Sequence, residues 1–458
     1  MAKRVFQLFI IMCCLCLFFQ SQAMAANASF DVSKMGDMSD FDPANPIIPT
    51  GDTIKIAVVA SYSGPAALLG KVYFAAVQFV AQDINKRGGI MVDGKKKLIQ
   101  VIQADHQGKV PICKQVCEQM VLQEHVNVLW GTNGSHLMKV INQVADKYHV
   151  IALCTAALSD ELYDAQNFTR YSFMATFTTD QIGRALGYYY GQIRKKEKKF
   201  YILDQDYLFG HQAAEGFKHG LKEFYPEAQI VGEDYHKLFL TDFAPYLTKI
   251  KASGAEVIFT GDWVPDAANF LKQARQMGIN LPFANIFMNG PDFLSSVGIE
   301  ATKGLVHVSN FGRTGEYFKT PEQIKYYKAW HDQFKKWKAP YNTPLWEHGG
   351  GDFGTYRAAT YWLLSVMERA GTTDPEKIIK VFEGDSYDFL GKVYTMRACD
   401  HKVMQDLHIE ILVPPAEQKQ SYNIPPYYWF NTCSYTGPSI EIPMEKIPPL
   451  ADPKLCGK

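Results

Sequence analysis

From residue 54 to about residue 288, short apolar runs alternate with longer stretches whose apolar positions recur every three to four residues. A run of four to seven branched apolar residues suits a strand buried on both faces. Three-to-four spacing suits a helix with one buried stripe. Strands are predicted at 54–59, 97–103, 126–130 and 150–153. Helices are predicted over 68–86, over 113–124 and from Leu137, where Leu137, Val140, Ile141, Val144 and Tyr148 share a face. The order β-α-β-α-β-α-β predicts a parallel sheet covered on both sides, with right-handed crossovers. From Phe173 the rhythm restarts, with helices at 179–194, 212–224, 244–252 and up to Met277. Strands are expected at 200–204, 229–234, 257–260 and 283–288. After Gly304 come a strand at 305–310, helices at 321–337, 354–369 and 375–382, and a pair of strands at 387–397 and 407–413. The tail from Pro414 is rich in Pro and Tyr, and residues 26–51 read as a polar leader that need not fold. The fold class is α/β, with two doubly wound lobes in series and a cleft between them.

Open α/β sheets place ligands at the carboxyl ends of their strands, which directs attention to the loops. Gly131-Thr132-Asn133-Gly134-Ser135 follows a strand and opens a helix. Free backbone N–H groups, the positive end of a helix dipole and the Ser135 hydroxyl would stabilise a carboxylate there; equally, Ser135 could simply cap its helix. The next strand ends in Thr155-Ala156-Ala157. Trp263, in Gly261-Asp262-Trp263-Val264-Pro265-Asp266, is either a lid over a ligand or a staple for its own loop. Tyr207 poses the same choice. Asp292 follows Pro291 and is either a ligand contact or a helix cap, with Asp262 a weaker acid candidate. Tyr62, before Ser63-Gly64-Pro65, is placed at the cleft.

Composition narrows the function. The chain of 458 residues carries 47 basic and 47 acidic side chains, with no basic block, which argues against nucleic acid and polybasic membrane binding. Lys3 and Arg4, the apolar run to Phe19 and Ala23-Met24-Ala25 read as a signal peptide over 1–25. A lipoprotein anchor on Cys13, Cys14 or Cys16 fits poorly. Six cysteines follow it: Cys113, Cys117, Cys154, Cys399, Cys433 and Cys456. An oxidising compartment allows disulfides, with Cys113–Cys117 or Cys433–Cys456 as guesses. No C-x-x-C pair or H-x-x-x-H spacing supports a metal, and no cofactor is expected. Cys399-Asp400-His401 has metal-ligand residue types but reads as a solvent-side turn. The glycines of His348 to Asp352 read as a tight turn. The absence of G-x-S-x-G and Walker A motifs counts against a hydrolase or nucleotide enzyme.

Four pieces carry a family resemblance. They are Ile56-Ala57-Val58-Val59 with Ser63-Gly64-Pro65, Asp83-Ile84-Asn85 with Gly88-Gly89-Ile90, Asp206-Tyr207-Leu208-Phe209-Gly210, and Gln273-Ala274-Arg275-Gln276-Met277-Gly278. In this order the chain resembles the periplasmic solute-binding proteins of ABC importers, in the leucine/isoleucine/valine-binding group, over roughly 54–413. The resemblance implies a type I periplasmic binding fold, with two lobes joined by three crossings: 52–170 with 304–403, and 171–303 with 404–458. It implies a non-catalytic, monomeric, periplasmic protein that takes a small amino acid, organic acid or amide and passes it to a membrane permease. A sensor of the same fold is the alternative, and a secreted α/β hydrolase a remote one. Carried over by position, a ligand carboxylate would meet Ser135 and the loop of Ala156, Ala157 and Leu158. Tyr207, Phe209 and Trp263 would face it, and Asp292 would hold an ammonium. Leu158 stands where relatives offer Thr, and Leu69 near a usual Tyr. Both changes make the first wall more apolar.

Overall fold

The computed structural model describes residues 28–263, 265–288, 291–309, 320–332, 336, 355–412 and 440–457. The expected signal peptide, the His348–Asp352 turn, Cys433 and most of the Pro-rich tail lie outside these residues.

The branched apolar runs pair as predicted. A five-stranded sheet has the order Ile99–Asp105, Ile54–Ala60, Val128–Gly131, Ile151–Cys154, Ser172–Met174, all parallel. A second sheet has the order Gln229–His236, Lys199–Gln205, Val257–Thr260, Phe283–Asn285, Leu305–Ser309, also parallel. Leu407–Ile411 and Ile440–Ile442 close it antiparallel. The two sheets are the cores of two α/β lobes. Helices Ala67–Lys86 and Thr355–Ala370 cover the first sheet, and the Trp130 indole donates to Thr360 Oγ1 at 3.0 Å beneath them. Among the described residues no helix is long and apolar enough to cross a membrane.

Strand pairing moves two expected boundaries. Ser172–Met174 completes the first sheet and Leu305–Ser309 belongs to the second. The first passage between lobes therefore falls between Met174 and Thr179, and the second after Ser309. Gly304 is a turn into a last parallel strand, so its turn chemistry marks no crossing. The third passage falls between Met404 and Leu407.

Other expectations need correction. Residues 387–397 are not one strand paired with 407–413. Ser386–Phe389 and Lys392–Met396 form a hairpin with each other, because Leu390 (φ +57°) and Gly391 (φ +93°) turn the chain. The leader folds. Ala28–Ser29 adds a parallel strand beside Tyr387 and Asp388, and Val32, Met35, Met38 and Phe41 are buried. Asp83 accepts the Gly36 N–H at 3.1 Å and anchors the segment. Asp400 and His401 are buried, not solvent-facing: the Arg397 guanidinium binds both Asp400 oxygens at 2.7 and 2.6 Å, and His401 Nε2 meets Glu383 at 3.1 Å.

Both guessed disulfides are replaced by one between Cys399 and Cys456, while Cys113, Cys117 and Cys154 are free and buried. The bond fastens a C-terminal segment that passes from one lobe to the other. On the second lobe Gln181 Nε2 donates to the Ile447 carbonyl (3.1 Å) and Arg184 Nη1 to that of Pro448 (3.0 Å). On the first lobe Arg397 donates to Pro449 (2.8 Å) and Leu450 (2.9 Å), and Lys402 to Leu450 (3.0 Å). Asp452 then accepts the Ala165 N–H at 2.8 Å.

Candidate functional site

The strand-end loops of both lobes converge on one cavity, with about 930 Å³ of space including the part open to solvent. The first lobe contributes Leu68, Leu69, Val72 and Tyr73 from one helix, Asn133–Ser135 and Thr155–Leu158 from two loops, and Thr355 and Tyr356 from the helix after the second passage. Thr176 and Phe177 come from the first passage itself. Tyr207, Phe209, Trp263 and Phe287 form the second lobe's wall.

The polar groups gather on the first lobe. Gly134 (φ +95°), which a side chain would strain, holds the N-cap position. Ser135 is therefore the first helical residue and not the cap. It is 1% exposed, and its Oγ accepts the Ser159 N–H at 3.4 Å, which leaves the hydroxyl hydrogen to donate into the cavity. The helix's own hydrogen bonds begin with Leu137 and Met138, both to the Gly134 carbonyl. The first-turn N–H groups and the positive dipole end thus open toward the same space. Asn133 is held by Ser61 through its amide oxygen and nitrogen, each at 3.3 Å. Thr155 Oγ1 donates to the Gly131 carbonyl at 3.3 Å. Two histidines lie near this end without adding charge: burial pushes His106 down to about 4 and lowers His136.

The opposite wall is aromatic. The Trp263 indole N–H donates to Tyr207 Oη at 3.0 Å, and the Phe209 ring lies 5.8 Å from Tyr207 and 5.7 Å from Phe287. His136 of the first lobe meets Tyr207 edge-on at 5.5 Å, so the two walls touch beside the cavity. Beneath this wall lie buried acids. Asp204 accepts the N–H groups of Gln205 (2.8 Å) and Gly261 (2.9 Å); burial and the nearby charge of Asp262 push its pKa well up. His236 Nε2 lies 3.0 and 2.9 Å from the two oxygens of Asp262. Asp266 accepts from Gln205 Nε2 at 2.7 Å and from the Phe239 N–H at 2.9 Å.

The structure brings Ser135, Ala156, Ala157, Leu158, Tyr207, Phe209 and Trp263 together on the cavity. Tyr62 does not join them. Its hydroxyl donates to the Val58 carbonyl at 3.0 Å and its ring packs edge-on against Phe74, so it supports the loop from behind. Asp262 is spent on His236 under the wall and is not a cleft acid. Asp292 is the second residue of the short helix Pro291–Val297, and its side chain lies outside the described set. The residues that sequence reasoning missed are chiefly Tyr73, Phe177, Phe287 and Tyr356. Tyr73 and Tyr356 sit in helical stretches where an aromatic reads as core. Phe287 falls in the stretch 283–288 that the sequence predicts as a strand, whereas the strand ends at Asn285. Among the described residues, one group has metal-ligand types within reach of one another: Cys399, Asp400 and Cys456. Two of its members are the disulfide.

Residues 53–410 match a family model described as periplasmic binding protein. "Leu/Ile/Val-binding protein homolog 4" of Brucella abortus is 26% identical over 270 residues, 56% of this chain and 62% of that protein. The chain thus spans about three fifths of that relative's length. A periplasmic binding protein from Burkholderia mallei superposes with a TM-score of 0.70 at 20% identity, covering 88% of this chain and 98% of that one. A solute-binding protein of an ABC transporter from R. palustris, solved with 4-hydroxybenzoate, gives 0.65 at 18% identity, covering 86% and 97%. At these identities the structural likeness speaks for the fold.

Proposed function

The chain belongs to the periplasmic binding protein family, and from that premise we propose that it is the extracytoplasmic substrate-binding component of an ABC importer. It captures a small carboxylate between its lobes and delivers it to a membrane permease, acting as a monomer and without catalysis. The observation that carries this reading is the cavity itself, walled by loops from the carboxyl ends of strands in both sheets. Ligand contacts made to both lobes at once favour the closed form over an open one.

The arrangement of the two walls supports a particular ligand shape. The carboxylate docks on the first lobe, at the Ser135 hydroxyl, the first-turn N–H groups of its helix and the loop Ala156–Leu158. A flat or branched apolar body fills the space between Leu69, Tyr73 and Tyr356 on one side and Tyr207, Phe209 and Trp263 on the other. Aromatic monocarboxylates match this better than short polar amino acids. The neighbour solved with 4-hydroxybenzoate and the relatives named for Leu, Ile and Val frame the two classes to test. Asp292 is the group that would receive an ammonium.

The experiment is calorimetric titration and thermal shift of the mature protein with benzoate, 4-hydroxybenzoate, phenylalanine, leucine and benzamide. A ligand that binds the native state alone raises the melting temperature by mass action. Carboxylates should shift it and benzamide, which keeps the ring but lacks the charge, should not. Equal binding of benzamide and benzoate would overturn the carboxylate site. Tighter binding of phenylalanine than of benzoate would favour an ammonium contact at Asp292.

A further inference from the structure

Phe239 stands out in the second lobe. It is a bulky residue in left-handed backbone (φ +62°), where L side chains are rare and strained. The residue is 38% exposed, one of ten large apolar residues that face solvent among the described residues. The ring meets Trp263 edge-on, with centroids 5.7 Å apart and planes at 90°. The strained backbone is held from below: the Phe239 N–H donates to Asp266 Oδ2 at 2.9 Å, and the same oxygen accepts Gln205 Nε2 at 2.7 Å. Gln205 ends the Lys199–Gln205 strand, and its carbonyl accepts the Tyr207 N–H at 2.9 Å. One buried carboxylate oxygen thus ties the Phe239 loop to the Tyr207 loop, and it does so from the helix that follows Trp263. The three loops leave three adjacent strands of one sheet.

The left-handed backbone and the partial exposure of Phe239 both cost stability, and the gain set against them is the edge-on contact with Trp263. A glycine would fit φ +62° without strain, and solvent is a poor environment for a phenyl group. The ring contacts Trp263, which lines the cavity, while Phe239 itself is not part of the lining. We propose that Phe239 is a positioning residue for ligand binding: it braces Trp263 against the cavity from outside and keeps the indole in place over the bound molecule. The inference rests on the cavity reading above for its meaning, and on the Phe239–Trp263 contact for its geometry. The backbone strain is retained because Asp266 fixes the loop where the ring reaches the indole.

The test compares Phe239→Gly and Phe239→Tyr with the natural protein, each also in a Trp263→Phe background. The first readout needs no ligand. Acrylamide quenching of Trp263, taken as the difference between each protein and its Trp263→Phe partner, should rise at least twofold in Phe239→Gly and stay unchanged in Phe239→Tyr. The second is the Kd for 4-hydroxybenzoate, the probe, which should rise fivefold or more in Phe239→Gly through faster release and be restored in Phe239→Tyr. The third is the melting temperature without ligand, which should hold or rise in Phe239→Gly, since the left-handed backbone is then relaxed. Unchanged quenching overturns the bracing whether or not the probe binds. Unchanged Kd in a protein that binds the probe overturns the role in binding, as does a melting temperature that falls in step with affinity. Failure of the natural protein to bind the probe would count against the aromatic-acid reading instead, and the quenching comparison would still decide the bracing.

Discussion

Ser135 and His236 are single residues on which measurable behaviour turns. The Ser135 hydroxyl, buried at the head of a helix, offers a hydrogen bond to a charged oxygen, an interaction of about 1.5–3 kcal/mol. Ser135→Ala should therefore weaken a carboxylate ligand roughly tenfold or more, read by titration calorimetry, with a modest fall in the ligand-free melting temperature because the buried Ser159 N–H loses its acceptor. His236 makes a pH prediction. Burial alone would lower its pKa, but the hydrogen bond and charge of Asp262 outweigh burial and carry it up to about 9. A folded pKa above the unfolded value of about 6.5 gives stability that is complete below pH 6.5 and lost as the pH rises through about 9. The melting temperature should fall between pH 7 and pH 10 more steeply in the natural protein than in His236→Gln; parallel curves would exclude the pair as the source. Ser135 and Trp263 were legible in the sequence because they follow apolar runs in turn-rich loops. Tyr356 was not, since a helical aromatic gives the same pattern whether it meets the core or a cavity. The left-handed Phe239 left no signal at all in a loop without glycine.

Among the elements, the Thr179–Tyr188 and Leu208–Phe224 helices pack unusually close in the second lobe. Glycines make the contact: a Cβ on Gly183 would fall 2.0 Å from the Gly216 carbonyl carbon, and one on Gly220 would fall 2.2 Å from the Gly183 carbonyl oxygen. Neither neighbour can give way, because both are backbone. Gly220→Ala should force the helices apart and destabilise the protein by about 1–3 kcal/mol, the range for overpacking, seen as an earlier urea midpoint. The strands were the most legible elements, because runs such as Val257–Phe259 are apolar throughout and flanked by turns. The hairpin at Ser386–Met396 was misread as one strand since Leu390, an apolar residue in left-handed backbone, hides the turn. The leader was misread because Val32, Met35, Met38 and Phe41, though spaced by three, stand alone among polar residues, and their burial depends on a surface built from distant helices. The helix pair was legible as two helices, while its closeness was not, since glycines within a helical stretch lower confidence in the helix before they suggest a partner.

At the scale of the whole molecule, the number of lobes and the cleft between them followed from a β-α rhythm that starts twice. The C-terminal segment did not follow from anything local. Its carbonyls are bound two by one lobe and two by the other, by Gln181, Arg184, Arg397 and Lys402, and pairing of Cys456 with Cys399 joins residues 57 apart. Closing a loop of that length constrains the unfolded chain by about 2–4 kcal/mol. Cys456→Ser should lower the melting temperature of the oxidised protein, and a thiol reductant should lower that of the natural protein toward the variant's. A reductant without effect would show that the bond adds nothing to stability.

The same segment gives the molecule a site of cleavage that reports its conformation. Lys446 is exposed, just ahead of the first carbonyl bound by Gln181, on a stretch whose attachments lie on both lobes. A protease needs an extended, loosened backbone to cut, so trypsin should nick the Lys446–Ile447 bond faster when the lobes part and slower when a ligand holds them together. The nicked peptide would stay joined through Cys399 and come away on reduction alone. Gel shifts with and without reductant would then show how often the lobes separate, without a label or a known ligand.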